Sequence, residues 1–335
     1  MTPSYIPPFT LTATMLDLVA HISEEIGGRI SRGGPAATPA LRRANRLRSI
    51  HASLAIENNT LTLDQVTAVI AGKRVLGPPA EVQEVRNAFA AYEAMDAWKP
   101  FVRKDLLAAH RLLMTGLVKH PGHYRSGGIG IAQGAAIVHL APPAARVPGL
   151  MQDLLDWLKH TDVHPLIASC VFHYELEFIH PFADGNGRMG RLWQTLILSR
   201  WKPLLAYLPV EGVIRERQAE YYQALAASDN QGHSTLFIEF LLSALLQALR
   251  EAHRTDQVSD QVTDQVTDQV KVLLRCLDKQ PLSALGCMKK LGLSHRPTFR
   301  KNYLQPALDA GLVERTLPDK PTSRLQKYRR TAFPR

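Results

Sequence analysis

Apolar residues recur at helical spacing through most of the chain. Val82, Val85, Phe89 and Tyr92 form one stripe and Leu47, Ile50 and Leu54 another, at steps that predict helices over about 80–98 and 41–58. The same patterning predicts helices near Leu16 to Ile26, closed by Gly27-Gly28, and over 104–118, 147–160, 165–178 and 188–200. Local chemistry marks several starts. Thr38-Pro39 offers an N-cap and a first-turn proline to the helix that carries Leu47. Thr62-Leu63-Asp64-Gln65 reads as a capping box that opens the next helix. The period changes within 123–143, where residues 127–139 read as two short strands around a glycine turn. The fold expected is mainly α with one β-hairpin.

Composition adds organisation. A chain of 335 residues that is 45% hydrophobic is long enough for two or three packed domains. Cys170, Cys276 and Cys287 have neither paired nor metal-binding spacing, which suits a reducing compartment. No apolar run reaches membrane-spanning length and no leader pattern surrounds Pro3, Pro7 and Pro8, so the expected location is cytoplasmic. The net charge of +10 is unevenly placed: residues 271–335 carry +11, leaving −1 for the rest. That asymmetry points to an acidic partner for the C-terminal part, most simply DNA. Residues 255–270 repeat Thr-Asp-Gln-Val, once with Ser in place of Thr. The repeat reads either as a helix extension with Val258, Val262, Val266 and Val270 on one drifting stripe, open to homodimer formation, or as a linker. Beyond it, helix and turn signals, a basic helix carrying Arg296, Arg300, Lys301 and Tyr303, and two short strands around Pro318-Asp319-Lys320-Pro321 read as a winged helix-turn-helix.

The densest chemistry lies in His180-Pro181-Phe182-Ala183-Asp184-Gly185-Asn186-Gly187-Arg188-Met189-Gly190-Arg191. Gly185 and Gly187 let backbone N–H groups turn toward one point, and the helix they open aims its positive end there, an arrangement that favours phosphate. Arg188 and Arg191, three apart, share a helix face and suit bidentate contact with phosphate oxygens. Asp184 supplies a hard oxygen of the kind Mg²⁺ takes. His180 is able to accept a proton near neutral pH.

This stretch resembles the signature of Fic/Doc-type proteins, His-x-Phe-x-(Asp/Glu)-Gly-Asn-Gly-Arg-x-x-Arg, with every specified position present. The resemblance implies a helical domain that transfers AMP from Mg-ATP to a Ser, Thr or Tyr hydroxyl of a target protein, and sometimes to itself. It implies His180 as general base, Asp184 as Mg²⁺ ligand, and Gly185, Asn186 and Gly187 as the anion cradle. Arg188 would meet the β-phosphate region and Arg191 the γ-phosphate. Ser53-Leu54-Ala55-Ile56-Glu57-Asn58 resembles the family's inhibitory motif, (Ser/Thr)-x-x-x-Glu-(Gly/Asn), so Ser53 and Glu57 are expected to occupy Arg191 from an N-terminal helix. The hairpin is expected to act as a flap that docks the target through Ile137, Val138 and His139. Tyr222, of the Tyr221-Tyr222 pair, is expected at the adenine, although Asp229 stands where relatives have Asn. The expected domains are an N-terminal helical region at 1–98 with its inhibitory helix at about 39–58, a catalytic domain at 99–254, the repeat at 255–270 and a winged-helix domain at 271–335. Two other readings stay open: an ATP-sensing DNA-binding regulator, and transfer of a different phosphate-containing group.

Overall fold

The computed structural model describes residues 5–31, 39–128, 130–133, 136–264, 268–277, 280–309, 312–317 and 323–331; within these, 29–31, 39–40, 130–133, 136–140, 253–264, 268, 271 and 309 are described as backbone only. Thr38, the loop at 32–37, the hairpin turn Gly134-Ala135 and the turn at 318–321 therefore lie outside the described residues, as do the side chains of most of the repeat. The chain divides into two compact units, Met1–Arg250 and Glu251–Arg335.

The first unit is helical. Its helices are α1 (Ala13–Ser31), α2 (Pro39–Ile56), α3 (Leu63–Ile70), α4 (Pro79–Ala94) and α5 (Arg103–Met114), then α6 (Val147–His160), α7 (Pro165–Ile179), α8 (Asn186–Trp201), α9 (Val210–Glu216) and α10 (Gln218–Gln231). A further helix, α11 (Thr235–Asp264), begins here. Helix α1 corrects the expected stop at Gly27-Gly28: it runs on to Ser31. Ile22 and Ile26 are fully buried, and that packing offsets the roughly 1 kcal/mol that each glycine costs a helix interior. The stripe of α2 is buried as its spacing requires, with Ile50 and Leu54 almost inaccessible. At α3 both halves of the capping box form, Gln65 N–H to Thr62 Oγ and Thr62 N–H to Gln65 Oε1.

The antiparallel pair α7–α8 is the centre of this unit. Leu166, Phe172 and Leu176 on one helix and Met189, Leu192, Trp193 and Leu196 on the other are inaccessible to solvent. Helix α2 packs against α8 and α9, which brings its last turn to the N-terminal end of α8. Between α5 and α6 stands the expected hairpin, β1 (Gly130–Gln133) and β2 (Ala136–Leu140), antiparallel, with Ile131 opposite His139 and Ala132 opposite Ile137. The register shift between those pairs leaves Val138 as a bulge residue, which twists the ribbon locally.

The second unit has its own core. Helices α12 (Asp268–Leu277), α13 (Ala284–Lys290), α14 (Arg296–Phe299) and α15 (Gln305–Asp309), the last two joined by a π-turn at Arg300–Leu304, precede the antiparallel strands β3 (Val313–Arg315) and β4 (Tyr328–Arg330). Leu273, Leu277, Met288, Phe299, Leu304, Val313 and Tyr328 form the core. Backbone bonds between Leu282 and Tyr328 tie the α12–α13 connection to β4.

Candidate active site

Helix α7 ends on His180, whose backbone is left-handed (φ 49°, ψ 60°) while its N–H still reaches Leu176 O. A β-carbon makes that conformation costly, on the order of 1 kcal/mol, so the turn needs support. Asn186 provides it from one side: Phe182 N–H donates to Asn186 Oδ1 and Asn186 Nδ2 donates to Phe182 O, both at 2.9 Å. The Asn186 side chain thus closes the loop, and only its backbone is left for a cradle. Gly185 takes φ +86°, and a Cβ there would lie 2.6 Å from Met114 Sδ, so only glycine fits.

His180 is half-buried, and its Nδ1 lies 3.3 Å from Glu177 O. A carbonyl there calls for an N–H on Nδ1, which leaves Nε2 as the basic nitrogen. Asp184 has an exposed carboxylate whose Oδ1 accepts from Gly185 N–H and from Arg188 Nη2 at 3.0 Å. His110 of α5 braces the loop from below. It accepts Gly122 N–H at Nδ1, sits 3.1 Å from Asp184 O through Nε2, and stacks on Phe182 at 3.7 Å. Burial pushes its pKa down to about 4, against the pull of the Asp184 carbonyl, so it is neutral at physiological pH.

The two arginines at the start of α8 are buried, 6% and 2% exposed, and both are held by carboxylates. Arg188 gives Nη1 to Glu84 of α4 and Nη2 to Asp184, each at 3.0 Å, while its buried Nε has no partner. Arg191 gives Nε to Ser53 Oγ at 2.9 Å and Nη2 to Ser53 O and to Glu57 Oε1, the last at 2.7 Å. Burial opposes the charge of Arg191, but Glu57, with Tyr221 and Glu177, outweighs it and holds the guanidinium above its ordinary pKa. The Glu57 carboxylate also covers the helix end: a Cβ on Gly187 would lie 2.5 Å from Glu57 Oε1. It stands where an anion at that N-terminus would sit.

The exit of α2 explains the residue after Glu57. Asn58 is left-handed (φ 66°), its N–H bonds Ala55 O, and Asn59 N–H bonds Leu54 O. That is a Schellman closure, which asks for Gly or Asn at this position. Asn59 then gives Nδ2 to Glu84 Oε2 at 2.8 Å, so the exit turn also touches the carboxylate that holds Arg188.

Ser53, Glu57, Asp184, Gly187, Arg188 and Arg191 are therefore gathered around one helix end, with His180 at the neighbouring turn. The Tyr pair separates. Tyr221 is buried, its hydroxyl 3.2 Å from His173 Nε2, whereas Tyr222 is 44% exposed and packs edge-on against it. Asp229 accepts a bond from the Tyr174 hydroxyl at 2.8 Å. Ile137, Val138 and His139 lie on β2, and their side chains are outside the described residues. Sequence reasoning missed Glu84 and His110, and marked Arg125 as a flank of the hairpin without giving it a role.

A buried helix pair whose glycine turn presents a histidine, a carboxylate and two arginines defines the Fic class of fold. The comparisons agree. The Fic/DOC family profile matches residues 100–198, and that of the C-terminal domain of Fic-like proteins (filamentation induced by cAMP) matches 268–331. The crystal structure of a Fic family protein from Desulfovibrio desulfuricans G20 is 62% identical, covers 99% of this chain and 100% of its own, and superposes with a TM-score of 0.76. This chain belongs to the Fic/DOC family. Among curated relatives, protein adenylyltransferase Fic of Nematostella vectensis is 30% identical over 224 residues and that of Drosophila willistoni 28% over 218. These alignments take in 62% and 61% of this chain but only 49% and 42% of the relatives, so the chain spans less than half their length. The Fic-1 structure from C. elegans, 23% identical over 73% of this chain and 72% of its own, shares the fold with a TM-score of 0.59. No helix among the described residues is long and apolar enough to cross a membrane.

Proposed function

We propose that this protein is an adenylyltransferase that restrains itself through Glu57. ATP lies with its phosphates against the N-terminus of α8, Arg188 toward the β-phosphate and Arg191 toward the γ-phosphate, and Tyr222 beside the base. A Ser, Thr or Tyr hydroxyl of a target protein, aligned along β2, attacks the α-phosphorus. The bond from that phosphorus to the pyrophosphate oxygen breaks, the hydroxyl proton passes to Nε2 of His180, and pyrophosphate leaves. The exposed carboxylate of Asp184, beside the helix end, is the hard-oxygen donor that Mg²⁺ takes next to substrate phosphates. Mg²⁺ held there supplies neutralisation of phosphate charge.

The observation that carries the reading is the 2.7 Å bond from Arg191 to Glu57, over Gly187. A negative charge on the γ-phosphate's arginine excludes the γ-phosphate, or leaves ATP with its α-phosphorus out of line. The test is transfer of label from ATP carrying it on the α-phosphate to protein. Glu57→Gly should label strongly and Glu57→Gly/His180→Ala should not. Absence of label from Glu57→Gly with ATP binding intact favours the ATP-sensing regulator instead. Label from γ-labelled ATP favours a different transferred group.

For the second unit we propose a winged helix-turn-helix that binds duplex DNA by its phosphates. The support is charge: Arg296, Arg300 and Lys301 are exposed on the helical stretch before β3, and Arg324, Lys327 and Arg329 around β4.

A further inference from the structure

The signature accounts for one side of the His180 turn, where Asn186 clamps Phe182. The other side is held from outside the signature, by Arg125. Its guanidinium donates to four main-chain carbonyls: Nε to His180 O at 2.7 Å, Nη2 to Ile179 O at 3.3 Å and to Pro142 O at 2.5 Å, and Nη1 to Gly127 O at 2.9 Å. Its own N–H donates to Pro181 O at 2.9 Å. The side chain is buried, 6% exposed.

Each bond has a meaning for geometry. Ile179 and His180 end α7, where carbonyls lack intrahelical partners and a cation is favourable. His180 is one of two non-glycine residues with positive φ among those described, and a strained backbone persists only where its surroundings over-determine it. Gly127 and Pro142 lie on either side of the hairpin β1–β2. One guanidinium therefore gathers both feet of the hairpin and the carbonyl of the histidine. Arginine's planar fork reaches several acceptors at once, which the compact ammonium of lysine does not match.

We propose that Arg125 is a positioning residue that locks the docking hairpin and His180 into one register, so that a target strand seated on β2 brings its hydroxyl to the base. The inference rests on the adenylyltransferase reading above. It goes further in making hairpin and histidine a single mechanical unit with its joint at Arg125. Misplacing reacting atoms by about 1 Å costs on the order of a hundredfold in rate. Loss of the joint should therefore damage transfer to protein more than transfer to water, which needs no docked strand.

The test uses the full chain with Glu57→Gly, alone and combined with Arg125→Gln or Arg125→Lys. Four quantities are measured: ATP affinity, labelling of protein, release of AMP to water, and hydrogen exchange by peptide. Arg125→Gln should keep ATP affinity within about threefold, lower protein labelling about a hundredfold, and lower AMP release about tenfold. Arg125→Lys should recover less than a tenth of the lost labelling. Exchange should quicken together in the peptides covering 127–142 and 180–184, with α7 and α8 still protected. Unchanged labelling, loss of ATP affinity in step with labelling, equal losses with protein and water, or quickened exchange in only one of the two peptides would each overturn the proposal. The exchange result stands even if Glu57→Gly neither binds ATP nor labels protein, the outcome that removes the adenylyltransferase reading itself.

Discussion

The arginines at the head of α8 and the cations of the C-terminal unit are chemically alike, yet the structure treats them in opposite ways. Arg188 and Arg191 are buried, and the groups that hold them are oxygens of carboxylates, a hydroxyl and a carbonyl. Arg296, Arg300, Lys301, Arg324 and Lys327 are exposed. A buried charge is tolerated only with a partner, so the partner outlines the ligand it stands in for. An exposed charge is well solvated and constrains nothing nearby; it states only the sign of what approaches. The first region thus specifies a site, and the second specifies a class of partner.

The sharpest test of that contrast removes the one group in the first region to which the proposed reaction gives a chemical role. His180→Ala, in the Glu57→Gly background, should lower protein labelling by roughly a hundredfold to ten-thousandfold, the range for a general base. ATP affinity should change little, because the proposed phosphate subsite is the N-terminus of α8 and His180 stands on the neighbouring turn. If affinity and labelling fall together, His180 belongs to binding and is not the base.

Next in size is the stand-in itself. A hydrogen bond between charged partners is worth about 1.5–3 kcal/mol, so Glu57→Gly should raise labelling by roughly tenfold to a hundredfold. Arg191→Ala should abolish that gain. Labelling that is equal with and without Glu57 would mean that the carboxylate on Arg191 is a structural ion pair and does not mark a phosphate subsite.

The exposed cations should respond by degree. Arg296→Ala/Arg300→Ala/Lys301→Ala should weaken binding to duplex DNA of any sequence and lower the slope of log K against log salt by about 3. Labelling by the Glu57→Gly enzyme should be unaffected. A wild-type affinity that does not change with salt would remove the electrostatic reading of this unit.

The same contrast explains what was legible in the sequence. The α7–turn–α8 centre was, because its chemistry is contiguous and its glycines and asparagine are dictated by local backbone geometry. Ser53 and Glu57 were, because they lie four apart in a hexapeptide that resembles the family's inhibitory motif. The helices followed from apolar spacing, but the end of α1 did not: Gly27-Gly28 carries a local stop signal that the burial of Ile22 and Ile26 overrides. Glu84 and His110 had no spacing to betray them, and the place of Arg125 beside the hairpin did not reveal its reach to His180. Each reaches the site from an element distant in the chain, and each acts through one long side chain. A glutamate among other acidic residues on α4 reads as solvated, and a histidine on the apolar face of α5 reads as core. Tyr221 reads equally as half of a pair or as plain core, and it packs as core against Phe237 and Phe240.

The smallest effect concerns the residue that lets Glu57 point at Arg191. Asn58 closes α2 in the left-handed region, where Asn is tolerated and Ala costs about 1 kcal/mol more. Asn58→Ala should lower the chain's stability by about that amount. Part of the loss falls on the exit turn that presents Glu57, so basal labelling should rise by no more than about fivefold. Asn58→Gly keeps the conformation available and should leave both quantities near their starting values. Because Asn59 follows directly and bonds Glu84, the pair of variants also asks whether the exit turn governs Arg191 alone. If Asn58→Ala raises labelling only while Glu57 is present, the turn acts through Arg191. If it still raises labelling in the Glu57→Gly background, the route runs through Asn59, Glu84 and Arg188, and both buried arginines answer to the same turn of chain.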